Sequence, residues 1–204
     1  MNPLFKKLKI LGWMMIALFS LSFTVYINGY RLNTSTSFPP GIYVIDAVKD
    51  VYQTQDLILF CPPNNNSVKT ALARGYISQG RCKSQTTPMI KRVAAIYGDK
   101  VTLSDTISIN NHELTNTTIK YQDSLKRSLI PFSLNGKSQF TVPYQQVFVY
   151  SDHAPSNSFD SRYFGPVPTN NIHGTVKSVL LIADVQAFIE ELPYSAHLMF
   201  TQQK

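Results

Sequence analysis

The chain has 204 residues, 44% of them hydrophobic and 15% charged, with a formal net charge of +7. That apolar fraction excludes an intrinsically disordered chain and leaves room for one membrane segment and one globular domain with its own core. The charge excess is spread along the chain with no basic cluster interleaved with aromatics, which excludes nucleic acid as a partner and fits a surface facing anionic lipid.

Residues 10–28 carry no charge, and at about 1.5 Å per residue they cover a hydrocarbon core of roughly 30 Å. Lys6, Lys7 and Lys9 flank only the amino-terminal side, so the positive-inside rule keeps that side cytoplasmic and sends everything after residue 28 across the membrane. Trp13 and Tyr26 fall near the two interfaces, where amphipathic rings settle. A cleaved secretory signal has a shorter apolar region and a small-x-small site, and residues 28–32 offer none. The expected organisation is a cytoplasmic 1–9, an uncleaved transmembrane anchor over 10–28 and one domain over 29–204.

Residues 33–43 read Asn-Thr-Ser-Thr-Ser-Phe-Pro-Pro-Gly-Ile-Tyr. Pro39 and Pro40 fix φ at about −65° and remove two backbone donors, and Phe38, preceding a proline, is pushed toward an extended conformation. Ser37 therefore sits on a stiff turn. Gly41 permits a backbone geometry that other residues resist, and 41–45 begin a strand. A hydroxyl held where a turn meets a strand suits a nucleophile, which must meet a carbonyl at about 3–3.5 Å with little freedom left to lose. A merely structural turn rich in Ser, Thr and Pro reads the same way from these residues alone.

Farther along, 57–60 reads as a strand and 68–74 as a short helix stopped by Gly75. Strand-like runs follow at 89–96, 100–103, 107–110, 140–142, 147–150 and 174–182, with turn signals at Gly98-Asp99 and Asn110-Asn111. Residues 104–138 are polar and predict an inserted hairpin with loops. Apolar residues at helical spacing over 185–192 predict a short core-packing helix. Many short strands behind one long amino-terminal helix predict a mainly β domain tethered to a membrane.

The two cysteines, Cys61 and Cys82, lie beyond the span on the oxidising side, where a pair tends to close; a loop of this length stabilises by about 3 kcal/mol in the chain-entropy model. Their spacing fits neither a zinc knuckle nor a redox Cys-x-x-Cys motif.

A serine nucleophile needs a base. In the strand around Lys91, the residues Lys91, Val93 and Ala95 share one face while Ile90, Arg92, Ala94 and Ile96 share the other. A lysine among apolar and small residues is desolvated, and moving its pKa from about 10.4 to about 8 takes roughly 3 kcal/mol of destabilisation of the ammonium. Arg92 stays charged and cannot be a base. The bland alternative is a surface lysine on an edge strand. The rival base is His153, with Asp152 or Asp160 completing a Ser/His/Asp set, although no Gly-x-Ser-x-Gly nucleophile elbow is present.

Three stretches in order resemble the type I signal peptidases, and among them the conjugative-transfer branch (TraF type). Ser37, Pro39, Gly41 and Tyr43 match that branch's Ser-x-Pro-x-Gly-hydrophobic-Tyr box. Residues 90–101, Ile-Lys-Arg-Val-Ala-Ala-Ile-Tyr-Gly-Asp-Lys-Val, are similar to its Lys-Arg-Val-x-Gly-x-x-Gly-Asp box, and residues 158–167, Ser-Phe-Asp-Ser-Arg-Tyr-Phe-Gly-Pro-Val, to its Ser-x-Asp-Ser-Arg-Tyr-x-Gly box. The stretch from Cys61 through Arg74-Gly75-Tyr76 to Cys82 agrees with the same branch. Ala95 and Tyr97 depart from the second box, and Asp152-His153-Ala154 stands where Gly-Asp-Asn is common.

The resemblance implies a mainly β catalytic domain of coiled sheets behind one transmembrane helix in the bacterial inner membrane, with the domain periplasmic. It implies Ser37 as nucleophile, Lys91 as general base, Ser35 supporting the oxyanion hole, Ser158 orienting the lysine, and Asp160 with Arg162 as a structural pair, with neither cofactor nor metal. The implied substrate is an exported, pilin-like precursor, and the implied partners are inner-membrane lipid and components of a conjugation or type IV secretion system. In part of this branch an amine from the substrate's other end releases the acyl-enzyme and closes a ring. The alternatives are a general signal peptidase I for many preproteins and a non-catalytic assembly protein of a secretion channel.

Overall fold

A computed structural model describes residues 3–34, 38–184 and 186. Helix α1 spans Pro3–Ile27. Its segment Phe5–Ile27 is long and apolar enough to cross a membrane, and its most apolar 18-residue window, with a mean hydropathy of 2.0, is nowhere buried. The helix begins earlier than the uncharged run because lysine is a good helix former, so Lys6, Lys7 and Lys9 ride on the same rod.

Two antiparallel sheets follow. The larger runs in the order β1 (Tyr30–Asn33), β2 (Gly41–Ile45), β11 (Ile172–Leu181), β3 (Leu57–Phe60), β4 (Met89–Ala95), β9 (Gln146–Tyr150) and β10 (Val167–Pro168). The smaller runs β7 (His112–Glu113), β6 (Ile107–Ile109), β5 (Lys100–Leu103) and β8 (Gln139–Thr141). Ten-residue β11 pairs with both β2 and β3, and register shifts in each pairing let one strand bend across the sheet. This is the mainly β architecture, behind one amino-terminal apolar helix, that the sequence led us to expect.

The strands are rich in β-branched and aromatic residues, and β2, β3 and β9 in the middle of the larger sheet are almost wholly apolar. The strands' inner faces make one core around Ile58, Phe60 and Val93, against which Phe164 of a short helix packs, and a second around Val101, Ile107, Phe140 and Phe148. Within the polar insert, the Asn110-Asn111 turn has φ of 52° and 66°, the pair of positive values a tight primed hairpin requires, and it joins β6 to β7. Helix α2 spans Asn66–Ala73, starting two residues earlier than read, because the Asn65 side chain caps it by accepting from Val68 N–H at 3.1 Å. Cys61 and Cys82 are joined as a disulfide with their Cα atoms 5.6 Å apart, and His173 Nε2 lies 3.2 Å from Cys61 Sγ. The helix expected over 185–192 falls outside the described residues except for Gln186.

Gly41 has a different reason from the one its sequence suggests. A Cβ there would lie 2.9 Å from the Cα of Leu181 and closer still to the Leu180 carbonyl. The position is glycine because β11 crosses against it, and backbone freedom has no part in it.

Candidate active site

Ser35 and Ser37 lie outside the described residues, while both flanks of their turn are held. Asn33 Nδ2, at the end of β1, donates to the carbonyls of Phe38 and Pro39, each at 3.1 Å. The Tyr43 hydroxyl donates to the same Pro39 carbonyl at 2.6 Å. Tyr43 is fully buried and Phe38 nearly so, and their rings meet edge to face. The spacing of Pro39, Gly41 and Tyr43 thus has a physical cause: two residues beyond the glycine, the tyrosine reaches back to the carbonyl of the first proline.

Lys91 is fully buried. It sits on β4, paired with Ile58 of β3 and just short of the β9 pairing that begins at Arg92; its burial excludes the surface-lysine alternative. Its ammonium nitrogen has no hydrogen-bond partner among the described residues. Burial pushes its pKa down from 10.5 to about 8, against the opposing pull of the Asp160 carboxylate, with Arg162 adding to the lowering and Asp152 opposing it.

Asp160 and Arg162 form a buried two-point ion pair, Nε to Oδ1 and Nη2 to Oδ2, both at 2.8 Å. Asp160 also caps the single turn of α3 (Ser161–Phe164). Arg162 spends its other donors on the carbonyls of Thr118, Pro155 and Ser158, at 2.8, 2.6 and 3.2 Å. One guanidinium therefore ties the polar insert, the 155–158 turn and α3 together. The Ser158 hydroxyl on that turn is buried and, like Lys91 Nζ, lacks a hydrogen-bond partner among the described residues.

The histidine alternative finds no support in this arrangement. Asp152 is paired with Arg92 and Asp160 with Arg162, so neither carboxylate orients an imidazole. His153 is exposed, and its ring packs against Phe38 at 6.2 Å between centroids.

Lys91 opens into a groove of about 740 Å³ whose walls include Leu32, Asn33 and Thr34 on one side and Pro88, Met89 and Ile90 on the other. Neither edge of β2 is open, since it pairs with β1 and β11. Among the described residues, the strand edges beside the groove that lack a sheet partner are the outer edge of β1 and residues 89–91 of β4, because β9 pairs with β4 only from Arg92 onward. The family described as signal peptidase, peptidase S26, matches residues 5–181.

The chain belongs to the signal peptidase family, peptidase S26. Among its relatives, the conjugal transfer protein TraF of Agrobacterium fabrum (strain C58) is 35% identical over 153 residues, 75% of this chain and 83% of its own length. The probable conjugal transfer protein TraF of Sinorhizobium fredii is 33% identical over 158 residues, 78% of this chain and 80% of its own. A plasmid transfer protein TraF of Escherichia coli is 32% identical over 164 residues, 78% and 88% respectively. A signal peptidase I from Enterococcus faecalis V583 superposes with a TM-score of 0.34 at 26% identity, covering 63% of this chain and 98% of that one.

Reasoning from sequence missed several contributors to the groove of this peptidase S26 family member. Strand β1 is only four residues long and directly follows a helix, so no alternation could mark it. Asn33 carries no signal of its own in the sequence, and only its two bonds to the Phe38 and Pro39 carbonyls reveal its place. Of Ile42, Tyr43 and Val93, which the sequence offers as pocket walls on the strands after Ser37 and around Lys91, only Tyr43 lines the groove. Val93 is enclosed in the core, Ile42 does not line the groove, and Leu32, Leu59 and Ile90 line it in their place.

Proposed function

We propose that this signal peptidase family member is a membrane-anchored Ser/Lys endopeptidase that removes the leader of an exported, pilin-like precursor in conjugative or type IV secretion. The observation that carries the reading is Lys91, a fully buried lysine on β4, without a hydrogen-bond partner among the described residues and opening into an extended groove. Desolvation that lowers its pKa to about 8 gives a useful neutral fraction near neutral pH, as a general base requires.

In the proposed reaction the Ser37 hydroxyl oxygen attacks the scissile carbonyl while its proton passes to the Lys91 amine. The oxyanion takes hydrogen bonds from the Ser37 N–H and the Ser35 hydroxyl. Collapse forms the Ser37 ester and expels the amine, which takes the proton back from Lys91. Lys91 then accepts a proton from water as the water oxygen attacks the ester, and collapse expels the Ser37 oxygen, which takes that proton from Lys91; the leader leaves as a carboxylic acid that ionises, and free Ser37 and neutral Lys91 result. Ser158 orients the Lys91 amine throughout. The precursor lies extended between the outer edge of β1 and the 89–91 edge of β4, adding a strand by backbone hydrogen bonds.

The domains follow the order proposed from the sequence: 1–9 cytoplasmic, an anchor over 10–28, and a periplasmic 29–204, in the bacterial inner membrane. The lysines before the span support this orientation, and Arg31, its guanidinium 3.9 Å from the Tyr26 ring, suits the outer interface. The conjugal-transfer names of the relatives support the specialised substrate over general preprotein processing. An assembly protein without activity would have no use for a buried lysine costing about 3 kcal/mol. Purified full-length chain incubated with the candidate precursor, beside Ser37→Ala and Lys91→Ala, tests the reading. A cleaved leader with the parent and none with either variant is expected, and cleavage by Lys91→Ala contradicts the proposal. Product mass reads the release step, since a ring is lighter by one water than the linear product.

A further inference from the structure

Arg74-Gly75-Tyr76 takes no part in the chemistry above. Gly75, at φ +75°, ends α2 and turns the chain back, with its own N–H on Leu72 O and the Tyr76 N–H on Ala71 O. The turn delivers Arg74 and Tyr76 to the wall of a second cavity, of about 270 Å³, bounded across the way by residues 128–130. Tyr76 and Phe159, with ring centroids 6.1 Å apart, line both this cavity and the Lys91 groove.

The charge of these walls is one-sided. Arg74 is the only charged residue lining the cavity, Arg31 and Lys91 are the only ones lining the groove, and no carboxylate lines either among the described residues. Asp123, which accepts from the Tyr76 hydroxyl, is already engaged by Arg127 Nε at 2.6 Å and by the N–H groups of Leu125 and Arg127. Arg127 itself lies 5.5 Å from the Tyr76 ring centroid, so two guanidiniums flank that tyrosine against one carboxylate. Arg74 donates from Nη1 to the Ser128 carbonyl at 2.7 Å and to the Tyr76 hydroxyl at 3.3 Å. Its Nε and Nη2 make no hydrogen bond among the described residues, and these two form the planar fork that matches a carboxylate.

We propose that this cavity receives an acidic side chain, Asp or Glu, of the precursor segment that continues past Tyr76 and Phe159 from the Lys91 groove, held by the Nε–Nη2 edge of Arg74. The inference rests on the peptidase reading for the identity of the bound chain. A cation at the end of α2 is also favoured by the helix's terminal carbonyls, but that role predicts no dependence on the charge of a bound peptide.

The test uses full-length Ser37→Ala chain in nonionic detergent and fluorescein-labelled peptides with amidated C-termini. Each peptide carries an Ala-Gln-Ala core in a Ser/Gln background, with one Glu moved through successive positions, and binding is read by anisotropy. We expect one position at which Glu binds about fivefold tighter than Gln, the factor that ~1 kcal/mol gives. The ratio falls to about one when Arg74→Gln is added and is partly kept by Arg74→Lys, with melting curves showing both folded. The proposal is overturned if no position separates Glu from Gln or if the ratio survives Arg74→Gln. Cleavage of the tightest peptide by chain with Ser37 intact is scored separately. Arg74-dependent binding without cleavage contradicts the peptidase reading and leaves the anion site standing.

Discussion

The hydroxyl of Tyr43 donates to the carbonyl of Pro39 at 2.6 Å, closing a ring of chain around the prolines next to the proposed nucleophile. The donor is buried and the acceptor belongs to a residue whose φ is already fixed, so the bond holds the turn's exit in one place. Tyr43→Phe removes one hydrogen bond, worth about 1 kcal/mol, and leaves the ring packing on Phe38 intact. Processing should fall by roughly tenfold, because a small misplacement of the nucleophile costs rate, while the denaturation midpoint shifts little. Equal small losses in both would mean that the bond serves stability alone.

Lys91 should make the protein less stable than it would be with an apolar residue there. Its folded pKa of about 8 lies below the unfolded 10.5, so below pH 8 the folded state carries the full penalty of about 3 kcal/mol. As pH rises from 8 to 10.5 the unfolded chain binds more protons than the folded one, and the penalty disappears. Lys91→Met should therefore be the more stable protein at pH 7, with its advantage shrinking through that window. Urea denaturation of both chains in detergent at pH 7, 8.5 and 10 gives the difference directly.

Breaking the Asp160–Arg162 pair should be costly. Both groups are almost completely buried, and removing one leaves the other charge uncompensated at about 3–5 kcal/mol. Arg162→Met should also release the carbonyls of Thr118 and Pro155 that the guanidinium holds. Accelerated proteolysis within 118–132 and 155–158 is the expected signature; an unchanged digestion pattern would remove Arg162 from its tethering role.

Replacing Cys61 and Cys82 together by serine should lower stability by about 3 kcal/mol, since the disulfide closes the segment that carries α2 and the Arg74 turn. Equilibrium unfolding of the double variant against the parent under non-reducing conditions measures it.

Much of this was legible in the residues because local chemistry set it. The long uncharged run announced α1, the alternation at Lys91 announced which face of β4 turns inward, and Asn110-Asn111 announced a tight hairpin. What escaped depends on contacts between distant segments. Gly41 is small because Leu180 and Leu181 cross it, some 140 residues later, and no local pattern carries that information. The groove's free edge on β4 exists because β9 stops pairing at Arg92, which is a matter of register. Arg162 reads as one arginine in a motif, and its reach across three segments appears only once the insert has folded over it.

The central claim is that Lys91, neutral within its buried site, is the base. The most direct test is the pH dependence of kcat/KM for precursor cleavage, measured for the parent chain and for His153→Ala. The account predicts a single rise with a midpoint near 8, kept in His153→Ala and accompanied by complete loss of cleavage in Lys91→Ala. A midpoint at about 6.5, the range of an imidazole, that disappears in His153→Ala while Lys91→Ala still cleaves would contradict it.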